Sequence, residues 1–458
     1  MTPCLIRALD CAPSVLSVVS ETCAKLPNTL YLISGSFNVI FLYTLAFNIQ
    51  TRQLNVTGRT GVFGPHSYLA KNAPIDRLYT TSFAQPPTLV SWYINWREWD
   101  AYGRYPTLEH LDTVNTTSTP AYIALTSSYI YSVGGPTGAV HKIDPANGGF
   151  GQQIQQLLYV DADQLPFVDK TRSGIRNGTH SIELTTTGFA FAANLGRNSI
   201  WMYKLDRSSG KLVFLSENKS FREGDAPRHV LPSPNEKYLY CATENTSFVD
   251  VYEIMNDHLE HRQSASILPP GLDRGNYRGD TVRLSRKHLH LRPHTPRENK
   301  HEGHGPLTYL FATTRGTTTE YKGYIAAFAI SSDGLIVNPS DQTPHSSLPL
   351  HSLDPSKEKM TRNENIIFPA STFQTPTSGG QANAIELAPY EISSCATPGG
   401  IADAEWMVLT DGEQGLILIV EWSGKRGSFK IISDVLLDAG VGGNSSAKAL
   451  PSVALWLA

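Results

Sequence analysis

Residues 224–252 read GDAPRHVLPSPNEKYLYCATENTSFVDVY, and this run decides the fold. APRHVLP, KYLYCATE and SFVDVYEI are three short strand patterns, with Ser-Pro-Asn-Glu turning the chain between the first two. A fourth pattern, HLEHRQSAS, follows Met255-Asn256-Asp257. Four consecutive antiparallel strands joined by short turns make one blade of a propeller. Charge sets this blade apart, because Arg228 and Glu244 stand beside otherwise apolar strand residues.

Three further segments repeat the pattern. THSIELTTTGFAFAANLGRNSIWMYKLD starts at Thr179. RGDTVRLS starts at Arg278 and resumes, after an interruption, as TYLFATTRGTTTEYKGYIAAFAI. QANAIELAP starts at Gln381 and resumes as EWMVLTDGEQGLILIVEW. A recurrence of roughly 45 to 60 residues where uninterrupted fits propeller blades.

Earlier in the chain, Thr29 to Asn48 reads as two strands around Ser34-Gly35-Ser36. LYTTSF and TLVSWYINW are strand-like, and a third blade begins at Ala121 with YIAL, YIYSV and GAVHKID. Asn147 to Arg176 reads as a long connection. The sequence therefore predicts an all-β, seven-bladed propeller of four-stranded antiparallel blades over residues 29–458, after a disordered extension at 1–28. The terminal ALPSVALWLA is expected to supply a strand that closes the ring, since an open ring leaves an exposed edge.

The 458 residues have Gly, Pro, Ser, Thr and Asn at short intervals, which argues against an α/β enzyme. A formal net charge of −3 gives no basis for nucleic acid or an anionic membrane as partner. The five cysteines, Cys4, Cys11, Cys23, Cys241 and Cys395, match no zinc or redox spacing and suit a reducing compartment. The apolar run Ala12–Val19 follows Asp10 and lacks the frame of a signal peptide, so a cytoplasmic location is expected. Six N-x-S/T sequons, Asn177 and Asn245 among them, point mildly the other way. The apolar stretch Phe37–Phe47 is too short to span a bilayer. A basic insertion at 286–305 carries His288, His290, His294, His301 and His304. Its spacing matches no ligand signature, and its Pro, Arg and Lys content suits a solvated loop, so neither metal nor cofactor is expected.

Aligning the repeats also nominates a site. The position after the second strand is Leu195, Glu244, Arg315 and Asp411 in blades four to seven. The first strand lines the central channel, and its leading polar residues are His180, Arg228 and Gln381. Equivalent positions lie side by side around the channel mouth, so His180, Arg228, Glu244 and Arg315 are expected to converge. Arginine holds carboxylate or phosphate with a planar fork, and histidine exchanges a proton near neutral pH. A glutamate beside it can orient the ring, raise its pKa or act as the acid. The set describes a site for a small polyanion undergoing proton transfer. The plain alternative is a ring of structural ion pairs in a channel that has to be polar in any case.

Beyond this, the second half resembles the fungal 3-carboxy-cis,cis-muconate lactonizing enzymes, within the broader seven-bladed lactonase propellers. THSIEL, GDAPRHV, PNEKYLY, LPPGLDRGNYRGD, LFATTRG, YKGYIAAF, TPTSGGQANAIEL and DGEQG carry the resemblance. It is good from Thr179 to Trp422 and loose from Leu30 to Tyr159. PRHV is common to lactonase propellers, whereas the PPG, YRGD and TPTSGG series is more particular. The resemblance places the family's histidine on His180, its arginines on Arg228 and Arg315, and its glutamate on Glu244. Arg278 and Asp280, in YRGD, stand as secondary members. Ser181 follows His180 where the family has glycine.

What the resemblance implies is a cofactor-independent cyclase (an intramolecular lyase) that lactonises 3-carboxy-cis,cis-muconate in protocatechuate and β-ketoadipate catabolism. The partner implied is a small polycarboxylate substrate. Arg228 and Arg315 would bind carboxylate and stabilise an enolate, and His180 would donate the proton with Glu244 holding it protonated. The opposite assignment, Glu244 as acid, stands beside it. A lactone hydrolase of the 6-phosphogluconolactonase type and a non-catalytic binding propeller are the alternatives.

Overall fold

The computed structural model describes residues 27–99, 103–286, 308–338, 366–389, 404–424, 428–440 and 447–457. The extension at 1–28, save its last two residues, and the His-rich insertion, save Arg286, lie outside the described residues.

The described strands form seven four-stranded blades. The innermost strands are Pro451–Trp456, His66–Lys71, Tyr122–Leu125, Thr179–Leu184, Pro227–Pro232, Tyr277–Leu284 and Ile385–Leu387, for blades one to seven. Each contacts the next, and the seventh contacts the first, so the ring is closed. Closure comes from the end of the chain: Pro451–Trp456 pairs antiparallel with Thr29–Ser36, setting Leu32 opposite Trp456. The edge that an open ring would expose is thereby paired. A single pairing, Ser36 with His66, joins blades one and two into one eight-stranded sheet.

Inner blade strands are covered on both faces, so they read as nearly continuous apolar runs. In Tyr238–Thr243, Tyr240 and Ala242 pack toward blade six with Val282, Leu310 and Ala312. Leu239 and Cys241 pack toward blade four with Phe191, Ala193 and Met202. Outer strands such as Leu212–Lys219 bury much less and carry the polar residues.

Two expectations about the first half are corrected. Ser34, Gly35 and Ser36 belong to the strand Thr29–Ser36, and the turn lies between Ser36 and Phe41. Gly35 serves a close approach instead of a turn: a Cβ there would lie 2.5 Å from the His66 carbonyl oxygen and 2.7 Å from Ser452 Oγ. Gly35→Ala should therefore force blades one and two apart and cost about 1–3 kcal/mol. A lowered urea midpoint would show it, and an unchanged midpoint would refute it. Second, the stretch read as a connection from Asn147 contains the fourth strand of blade three, Phe150–Leu158, and a 3-10 turn, Arg172–Asn177. The strand was obscured by the glutamines of FGQQIQQLL, three of which, Gln152, Gln153 and Gln156, occupy its exposed positions.

Candidate active site

At one end of the channel lies a cavity of about 330 Å³. His180, Arg228, Glu244 and Arg315 all line it, so the structure brings together the four residues that the repeat alignment nominated.

A shared irregularity aims two of them, His180 and Arg228, inward. In blade four, Thr179 pairs with Asn194 and Ser181 with Ala193, leaving His180 as an extra residue. In blade five, Pro227 pairs with Thr243 and His229 with Ala242, leaving Arg228 extra. Blade six has the same surplus, with Asp280 and Thr281 between the pairs Gly279–Thr314 and Val282–Ala312. A bulge of this kind bends the strand and redirects one side chain. In blade five the approach is set further by positive φ at Gly224 (72°) and Ala226 (56°). Asp225, fully buried, ties this approach down by accepting from Ser220 Oγ and the Arg222 backbone N–H.

Glu244 bridges the arginines. Arg228 Nε donates to Glu244 Oε2 at 3.1 Å, and Arg315 Nη2 donates to Glu244 Oε1 at 3.2 Å. Asp280, 1% exposed, lies 2.5 Å from Arg228 Nη1 and 3.8 Å from Arg315 Nε. The Asn383 backbone N–H donates to Asp280 Oδ2 at 2.7 Å, which binds blade six to blade seven at this point. Arg315 Nη1 donates to the Gln381 carbonyl at 3.1 Å. Both guanidinium planes are thus fixed before any ligand arrives.

His180 differs from expectation. No hydrogen bond joins it to Glu244 among the described residues; its ring neighbours His229, with centroids 5.1 Å apart. Burial, and next the positive charges of Arg228 and Arg315, push its imidazole well below the ordinary range, so it is neutral in the free protein. The notion that Glu244 keeps His180 protonated is therefore corrected: the carboxylate is occupied by two guanidinium groups. His229, also lining the cavity, is pushed down by burial and then by Arg228 and His180. His180 and His229 each bury an Nδ1 that has no hydrogen-bond partner among the described residues.

Other nominated residues divide. Leu195 and Gln381 line the cavity, though Gln381 precedes the inner strand Ile385–Leu387 instead of leading it. Asp411 is buried and caps a turn, accepting from Thr377 Oγ1 and from the backbone N–H groups of Glu413 and Gln414. Arg278 turns away and donates to the carbonyls of Gly275 and Tyr277. Its YRGD neighbour Asp280 is the one at the site.

Several lining residues were not foreseen: Arg172, Arg176, His229, Tyr68, Phe37 and Phe83. His229 was signalled by its place beside Arg228 in PRHV. Arg172 and Arg176 lie on a turn between blades, where no repeat register points to them. Four arginines and two carboxylates line the cavity, so it favours an anion. No group of three or more potential metal-ligating side chains is present among the described residues.

A closed ring of seven blades with a basic channel mouth defines a class of propeller, and the chain can be placed within it. It belongs to the lactonase family of seven-bladed β-propellers, whose match spans residues 35–292, more than half the chain. Muconate cycloisomerase 1 of Cutaneotrichosporon cutaneum is 27% identical over 441 residues, spanning 95% of this chain and 100% of that protein. Carboxy-cis,cis-muconate cyclase of Neurospora crassa is 24% identical over 249 residues, 52% of this chain and 50% of that protein. Among solved structures, the periplasmic gluconolactonase of Pseudomonas aeruginosa superposes with a TM-score of 0.63 at 14% identity, over 94% of this chain and 99% of that one. That last likeness concerns the fold alone.

Proposed function

We propose that the protein is a cofactor-independent cyclase that lactonises 3-carboxy-cis,cis-muconate in the catabolism of aromatic compounds. The observation that carries this reading is the pair of guanidinium groups, Arg228 and Arg315, locked by one carboxylate beside an imidazole in an anion-favouring cavity. The full-length likeness to a muconate cycloisomerase supports it.

In the proposed reaction, one substrate carboxylate oxygen forms a C–O bond across the conjugated system and closes a five-membered lactone. The displaced π electrons collect on the carbon beside a second carboxylate, as its enolate. A proton then forms a C–H bond at that carbon. Written as free acids, substrate and product are isomers; from the ionised triacid one proton is taken up, ultimately from solvent, and nothing is released. The protein has to fold the triacid for attack, stabilise the enolate and supply one proton. Arg228 and Arg315 face the developing negative charge, with their planes set by Glu244 and Asp280.

His180 is the proton donor in this scheme. Glu244 is occupied as an acceptor of two charged hydrogen bonds and is assigned to holding the arginines. His180, half-buried, is neutral in the free protein because desolvation and the charges of Arg228 and Arg315 disfavour its charged form. A bound triacid brings compensating negative charge, so the imidazole takes up a proton together with the substrate.

The sign follows directly. The acid form is needed, so activity falls as pH rises through the pKa of His180, which is higher in the complex than in the free protein. The limb of kcat should therefore lie at higher pH than the limb of kcat/KM. Coincident limbs, or a limb that persists in His180→Gln, would refute the assignment. Proton NMR of the reaction in D2O tests the chemistry: one deuterium is expected, at the carbon beside the former enolate carboxylate. Hydrolysis of 6-phosphogluconolactone without muconate turnover would instead favour a lactone hydrolase.

A further inference from the structure

Of the four arginines lining the cavity, the proposed reaction uses neither Arg172 nor Arg176, and Arg172 is the one that aromatic rings hold in place. It opens the 3-10 turn Arg172–Asn177 and leans over the mouth toward blades one, two and seven. Its guanidinium carbon lies 4.9 Å from the Phe37 ring centre and 5.0 Å from that of Phe83. Those two rings are nearly parallel, 17° apart in plane with centres 6.2 Å apart. One Nη donates to Gln381 Oε1. Two aromatic faces and a carboxamide thus hold the planar group in place without neutralising it.

Its electrostatic surroundings set it apart from Arg228 and Arg315. Those two are tied to Glu244 and Asp280. Among the described residues no carboxylate pairs with Arg172, and the charges that act on it are those of Arg176 and Arg315, both positive. Partial desolvation beside the rings, and next this repulsion, push its pKa down, although the side chain still reaches solvent at the mouth. An arginine fixed by stacking, with hydrogen-bond donors left free at the rim of a cavity, is suited to receive a carboxylate.

We propose that Arg172 anchors a third substrate carboxylate and sets a preference for tricarboxylates over dicarboxylates. The inference rests on the cyclase reading in this way: ring closure uses one carboxylate as nucleophile and a second as electron sink, which leaves a third unreacting. Arg228 and Arg315 serve the reacting pair, while Arg172 holds the spectator group at the mouth and orients the chain for attack. Arg172 is thus a specificity-determining residue, acting on binding and orientation instead of on the proton or the enolate.

Two measurements test this. Steady-state rates on 3-carboxy-cis,cis-muconate and cis,cis-muconate give the triacid preference for the natural protein, Arg172→Gln and Arg172→Lys. The preference should fall about tenfold to a hundredfold in Arg172→Gln, mainly through KM, with partial recovery in Arg172→Lys. Calorimetric titration with propane-1,2,3-tricarboxylate and with glutarate gives the same comparison without turnover. The natural protein should bind the triacid more tightly, and Arg172→Gln should bind the two alike. A preference that survives Arg172→Gln in both measurements overturns the proposal. If neither muconate is turned over but the calorimetric preference depends on Arg172, the cyclase reading fails while the anchor stands.

Discussion

Arg228→Ala is expected to lower kcat on 3-carboxy-cis,cis-muconate by about a hundredfold or more, corresponding to about 3 kcal/mol of transition-state stabilisation. Arg228 is only 7% exposed and sits on the bulge of blade five, its donors directed to Glu244, Asp280 and the cavity. Negative charge on the enolate exists in the transition state and hardly at all in the ground state. Loss of the guanidinium should therefore show in kcat more than in KM. The fold should survive, because Glu244 keeps Arg315 and Asp280 keeps the Asn383 backbone N–H. Arg228→Lys should recover little: one ammonium cannot replace the fork that reaches both Glu244 and Asp280. Unchanged turnover in a folded Arg228→Ala protein would contradict the account.

The second large effect is expected at His180. Removing a positioned proton donor slows turnover by about 10²- to 10⁴-fold. His180→Ala also takes away a half-buried side chain that two nearby cations help keep neutral in the free protein. Binding of an unreactive tricarboxylate should accordingly be kept, while turnover is lost. Stopped-flow absorbance gives the first quantity and calorimetry the second. A His180→Ala protein with kcat intact would move the proton donor elsewhere, and one that no longer bound the triacid would make His180 a binding group.

The repeat made much of this site legible in advance. His180, Arg228, Glu244 and Arg315 recur at fixed places in successive blades, and a ring converts equal register into proximity. Apolar runs such as YLYCAT and YIAAFAI were readable because inner strands are covered on both faces. The shortfalls have a common cause. Bulges add one residue to an inner strand, so spacing alone did not separate Arg278 from Asp280, both named as secondary members in YRGD, and only Asp280 is at the site. Arg172 lies between blades and carries no repeat register, so only its position in three dimensions reveals it. The pairing of Glu244 with two arginines instead of His180 also depends on side-chain directions that spacing does not encode.

The most direct test of the central claim is the loss of ultraviolet absorbance when purified protein is mixed with 3-carboxy-cis,cis-muconate, with and without a chelator. The conjugated diene is consumed on ring closure, so the account predicts an absorbance loss at the same rate in both mixtures. A well-folded protein that leaves the absorbance unchanged, or one whose activity disappears with the chelator, would contradict a cofactor-independent cyclase at this site.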